Sequence, residues 1–139
     1  MHHIDTTNVE AVKPFLNENT ALVLLETPTN PLIKIVDIPL ISRLTHEKCP
    51  RGIVVVDNTM LSPYLQNPLD LGADIVYESG TKYLSGHHDL MAGVIAVQDS
   101  ALGEVLILFV KANSRNSTSP STLPDAVSPH STPGSSSEV

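Results

Sequence analysis

Lys82 closes the run Ser79-Gly80-Thr81-Lys82, which sets two hydroxyls and a flexible backbone beside a primary amine. An amine so placed can hold an aldehyde as an imine, and the amide and hydroxyl donors around it can cradle a phosphate. The same tetrapeptide also makes an ordinary polar surface turn, and by itself it does not choose between the two. Asp57 ends the apolar run Ile53-Val54-Val55-Val56, where a carboxylate is costly without a cationic or donating partner. A protonated pyridine nitrogen would be such a partner. So would the backbone of a turn at Asn58, and spacing leaves both readings open.

These residues need elements to carry them. Ala21 to Leu25 and Ile53 to Val56 are short continuous apolar runs, each ending at a carboxylate or turn residue. That is the pattern of strands buried on both faces of a parallel sheet. Between them Asp37 can cap a helix whose Ile38, Ile41 and Leu44 fall at helical spacing, which completes a β-α-β unit. Asp74 to Tyr77 and Gly93 to Val97 read as further strands, and Ala101 to Lys111 as the start of another helix. Pro63 and Pro68 make the stretch from Thr59 to Gly72 loop and short helix. The expected fold class is α/β. In open α/β sheets the ligand sits beyond the carboxyl ends of the strands. That rule selects Glu26 to Asn30, Asp57 to Thr59 and Ser79 to Lys82, each of which directly follows an expected strand. Pyridoxal-5′-phosphate (PLP) chemistry asks for a lysine, a carboxylate at the pyridinium nitrogen and phosphate donors, and the three segments offer all of them.

Other chemistries find less support. In His87-His88-Asp89 the neighbouring side chains point in different directions, whereas metal pairs sit two residues or one helical turn apart, so no metal site is expected. No Gly-x-Ser-x-Gly elbow supports a Ser-His-Asp hydrolase. Cys49 is the only cysteine of the 139 residues and cannot form an intrachain disulfide. It falls where a helix should pass into a strand. A net charge of -7 with eight scattered Lys and Arg argues against nucleic acid. No apolar run is long enough to cross a bilayer, and Met1-His2-His3-Ile4 lacks the basic start and apolar stretch of a secretory signal. A cytoplasmic location is the expectation. From Asn113 to Val139 the chain turns Ser/Thr/Pro-rich, so 113–139 is expected to be a disordered tail behind a single partial domain, 1–112.

The stretch Asp74-Ile75-Val76-Tyr77-Glu78-Ser79-Gly80-Thr81-Lys82-Tyr83-Leu84-Ser85-Gly86-His87-His88-Asp89 resembles the lysine signature of the Cys/Met-metabolism PLP enzymes, the trans-sulfuration family. Glu26-Thr27-Pro28-Thr29-Asn30-Pro31 and Val55-Val56-Asp57-Asn58-Thr59 are similar to two further segments of that family, in the same order. The likeness covers roughly Ile4 to Val97. It implies the central part of the large domain of the aspartate-aminotransferase-like, fold type I architecture, a mostly parallel sheet with flanking helices. It also implies that Lys82 forms the Schiff base with PLP and then shuttles the Cα proton, and that Asp57 pairs with the pyridinium nitrogen. Ser79 and Thr81 would hold phosphate oxygens, Thr59 would pack on the ring, and Asn30 would reach the phenolic oxygen or the substrate carboxylate.

Within the family, Tyr83 to Asp89 and Leu90-Met91-Ala92-Gly93 look most like the cystathionine β-lyases. The implied reaction is α,β-elimination of cystathionine to homocysteine, pyruvate and ammonia, in a homotetramer when the protein is full length. The γ-lyases, the γ-synthases and a non-catalytic fragment are the alternatives. The family's glycine-containing phosphate loop, ring-stacking tyrosine and carboxylate-gripping arginine have no counterpart here. The likeness fades from about Asp99, which makes a truncated or altered gene product the expectation for this chain.

Overall fold

The computed structural model describes residues 1–114; most of the expected tail, 115–139, lies outside the described residues. A short helix, α1 (Val9–Val12), runs into a 3-10 turn and then strand β1 (Leu22–Glu26). Helix α2 (Ile38–Lys48), strand β2 (Ile53–Asp57), the single-turn helix α3 (Ser62–Leu65) and strand β3 (Ile75–Ser79) follow. A wide helical turn (Gly80–Leu84), strand β4 (Gly93–Val97) and helix α4 (Ser100–Ser114) complete the order. The strands form one sheet in sequence order, with β1, β2 and β3 parallel and β4 antiparallel to β3.

The local signals act as their chemistry requires. Asp37 Oδ1 accepts the Leu40 amide at 2.9 Å and starts α2, satisfying one of the free N–H groups of the first turn. The helix stops at Cys49, and the Gly52 amide bonds the Cys49 carbonyl at 2.8 Å. A Cβ on Gly52 would stand 2.8 Å from that of Cys49, so only glycine fits this tight entry into β2. Cys49 itself is buried as a small apolar group.

Pairing puts Val23, Leu25, Val54, Val56, Val76 and Glu78 on one face of the sheet, because partners in register share a face and alternate residues change it. Leu25, Val54 and Val56 join Ile38, Ile41 and Val36 in the core cluster. The opposite face carries Leu22, Leu24, Ile53, Val55 and Ile75, and ends in Glu26, Asp57, Tyr77 and Ser79.

Burial on both faces holds for β2 and fails for β1. Val54, Val55 and Val56 are all buried, but Leu22 and Leu24 are 56% and 54% exposed. The reason is topological: β1 is an edge strand, and among the described residues no element covers that side of it. None of the helices among the described residues is long and apolar enough to cross a membrane.

Candidate functional site

The carboxyl ends of β1, β2 and β3 open onto one cavity of about 690 Å³, lined by Asn30, Asp57, Thr59, Ser79 and Lys82 among others. That volume suits a cofactor-sized ligand, and the position is where a parallel sheet offers its ends. The cavity sits on the sheet face of Glu26, Asp57, Tyr77 and Ser79, which follow one another across neighbouring strands through the pairs Glu26–Asp57 and Asp57–Tyr77.

Each side chain has a local reason for its place. Asp57 Oδ1 accepts the Thr59 amide at 2.9 Å, so the carboxylate does close a turn, two residues on rather than at Asn58. A carboxylate offers about four lone-pair sites, and the turn occupies one of them. The Thr59 hydroxyl accepts the Ser79 amide at 2.9 Å, which joins the segment after β2 to the end of β3. Glu26 Oε1 accepts the Asn30 amide at 3.1 Å and folds the segment after β1 back over the strand end. Lys82 lies in the middle of the wide turn with φ -90° and ψ -118°, the one residue there without helical dihedrals. Its side chain is exposed and lines the cavity.

Thr81 is not brought into the lining. Its hydroxyl accepts the Ala92 amide at 3.1 Å and holds the turn against the start of β4. Gly80 faces the same segment: a Cβ there would stand 2.9 Å from that of Ala92.

Glu26, Tyr77 and His88 also line the cavity; they fall inside the family-like segments, but no role was expected of them. For Tyr77 a signal exists in the spacing, since it lies two residues before Ser79 and therefore on the same face of the strand. Its phenol is pushed up to about 12, first by the adjoining Asp57 carboxylate, then by partial burial and by the charge of Glu26.

On the α2 face runs a buried amide network that reaches the cavity lining at Glu78. Asn58 Nδ2 donates to the Gln66 carbonyl at 2.9 Å and to Glu78 Oε1 at 2.7 Å. Gln66 Nε2 donates to Asn58 Oδ1 at 2.9 Å and to the Thr27 carbonyl at 3.2 Å. The segments after β1, β2 and α3 are thereby linked to β3.

The cavity thus holds two carboxylates in register, Glu26 and Asp57, a third, Glu78, from the other face of β3, and one amine, Lys82. That donor set fits a ligand with a cationic ring nitrogen at one end and an electrophilic carbon near the amine. No group of three or more His, Cys, Asp or Glu among the described residues is placed to hold a metal ion.

Residues 1–123 match the model of the Cys/Met metabolism PLP-dependent enzymes. The chain is 68% identical over 112 residues to a cystathionine beta-lyase of Neurospora crassa, covering 81% of this chain and 24% of that protein. It is 44% identical over 108 residues to an L-methionine gamma-lyase of Fusobacterium nucleatum, covering 78% of this chain and 27% of that one. Its fold superposes on the crystal structure of a cystathionine gamma-lyase of Lactobacillus plantarum complexed with L-serine. There the TM-score is 0.77 at 40% identity, over 81% of this chain and 29% of that one. The chain therefore spans about a quarter of the length of the curated relatives it matches. The sheet is a part of the fold type I architecture that these lyases share. On sequence, on fold and on the residues gathered at its strand ends, this chain belongs to the Cys/Met metabolism PLP-dependent enzyme family.

Proposed function

We propose that this chain supplies the PLP-binding centre of a carbon-sulfur lyase of the cystathionine β-lyase type, releasing homocysteine, pyruvate and ammonia from cystathionine. The observation that carries the reading is the convergence of Asn30, Asp57, Ser79 and Lys82, from three separate strand ends, on one cavity. The identity of 68% to the β-lyase against 44% to the methionine γ-lyase supports β- over γ-elimination.

When bound, PLP supplies an electron sink for the carbanion formed at substrate Cα. The chain's own residues do the rest. Lys82 Nζ would hold the cofactor covalently and, when free, would take the proton from substrate Cα and deliver it onward. Asp57 keeps lone pairs for the ring N–H after closing its turn, and the nearby Glu26 adds negative potential that favours a cationic ring. The Ser79 hydroxyl would donate to the phosphate, while Thr81, its hydroxyl bonded to the Ala92 amide, would hold the turn that carries Lys82. Thr59 would pack on the ring with its hydroxyl already committed to the Ser79 amide, and Asn30 would orient the phenolic oxygen or the substrate carboxylate. The reduced, buried Cys49 suits a cytoplasmic enzyme. The full-length protein acts as a homotetramer that feeds homocysteine to methionine biosynthesis.

The test has two parts. The purified chain mixed with PLP should gain an absorbance band at the visible edge that Lys82→Ala abolishes; a wild-type chain that gains no band sinks the claim for this chain. The full-length protein given cystathionine should release pyruvate, and release of 2-oxobutyrate instead would reassign it to γ-elimination.

A further inference from the structure

The family likeness assigns Tyr77 no role, yet it stands beside the residue on which the ring-nitrogen reading depends. Asp57 and Tyr77 are register partners on adjacent parallel strands, so their side chains leave the same face of the sheet side by side. Both line the cavity and both are half-buried. The other two tyrosines, Tyr64 and Tyr83, are 92% and 65% exposed, so Tyr77 is the one held by its surroundings.

A carboxylate at a strand end has one soft torsion, about its Cβ–Cγ bond, and the Thr59 amide restrains it from the Oδ1 side alone. A second donor on the neighbouring strand would fix the plane. We infer that Tyr77 is a positioning residue, its hydroxyl donating across the β2–β3 pair to Asp57 so that the carboxylate presents its remaining lone pairs to a ring N–H in the cavity. This rests on the cofactor reading above and adds a residue to it. The elevated phenol agrees with it, because a phenol that donates to a carboxylate resists ionisation. Asp57 is thereby held between a donor from its own turn and a donor from the next strand, and neither is a cation that would compete with a pyridinium for it.

Two measurements on the full chain test this. The first needs no cofactor: the tyrosine doublet in the ultraviolet resonance Raman spectrum at neutral pH reports whether a phenol donates. The difference between wild type and Tyr77→Phe isolates Tyr77, and should show a strong donor that weakens in Asp57→Asn. A Tyr77 signal typical of a solvated phenol, or one that ignores Asp57→Asn, overturns the inference. Should Tyr77→Phe fail to fold, the difference between wild type and Asp57→Asn carries the same comparison.

The second compares PLP with an analogue in which a C–H replaces the ring nitrogen. Tyr77→Phe should weaken PLP by about three- to ten-fold, the loss of one hydrogen bond, and leave the analogue unchanged. Equal weakening of both makes Tyr77 a packing residue and overturns the role. If wild type binds neither ligand, the cofactor reading fails and the role with it, while the Raman comparison still reports whether the contact exists.

Discussion

Asn58 donates through Nδ2 to the Glu78 carboxylate at 2.7 Å, with both side chains buried where β2 and β3 deliver Asp57 and Ser79. Asn58 directly follows Asp57, and Glu78 lies between Tyr77 and Ser79 and itself lines the cavity. The cavity is thus backed by a polar clamp, and a hydrogen bond to a charged acceptor is among the stronger neutral-pH contacts available to it.

Glu78→Ala leaves a buried amide without its acceptor and should cost about 1 to 3 kcal/mol of stability. Glu78→Gln keeps an acceptor oxygen and should cost less. Urea midpoints of the two variants provide the check, and a Glu78→Gln loss as large as that of Glu78→Ala would show that an acceptor oxygen alone does not keep the contact.

Gly80 and Ala92 should behave as a coupled pair. A methyl added at Gly80 meets the Ala92 Cβ at 2.9 Å, and overpacking of this kind costs about 1 to 3 kcal/mol. Because Gly80 opens the turn that carries Lys82, Gly80→Ala should also weaken PLP binding. Ala92→Gly in the same chain should recover most of both losses, since the remaining contacts are to backbone at 3.3 Å. A double variant no better than the single one would count against direct contact.

Alkali should act through Tyr77. Its phenol titrates at about 12 in the folded chain against an ordinary value of 10.0, so the folded state holds the proton more tightly. The stabilisation is complete below pH 10.0, declines as pH rises and is gone above about 12. The effect is small because the group is half in solvent. The stability gap between wild type and Tyr77→Phe should narrow over that window, and a gap that widens would give the shift the opposite sign.

The β-α-β unit was legible in the sequence because its signals are local: the apolar run into Asp57, the Asp37 cap and the spacing of Ile38, Ile41 and Leu44. Boundaries moved little. β1 starts and ends one residue later than the apolar run, and β3 continues past Tyr77 to Ser79. The exposure of Leu22 and Leu24 was not legible, because an edge strand and a central strand share the same apolar composition and differ only in their neighbours. Of the site, Asp57, Ser79, Lys82, Thr59 and Asn30 could be named from strand ends and motif. Glu26 lay in a selected segment and Tyr77 in the lysine stretch, but their alignment beside Asp57 could not be read, since register is set by pairing between distant segments. Thr81 shows the converse. Its motif names it beside Lys82, while its hydroxyl is spent on the Ala92 backbone.

Reduction with borohydride of the chain saturated with PLP, followed by peptide mass analysis, tests Lys82 most directly. A pyridoxyl mass on the peptide containing Lys82, and its loss in Lys82→Ala, is the predicted result. Modification spread without preference over Lys13, Lys34, Lys48 and Lys111, or unchanged by Lys82→Ala, would contradict the assignment of Lys82 as the lysine that holds the cofactor.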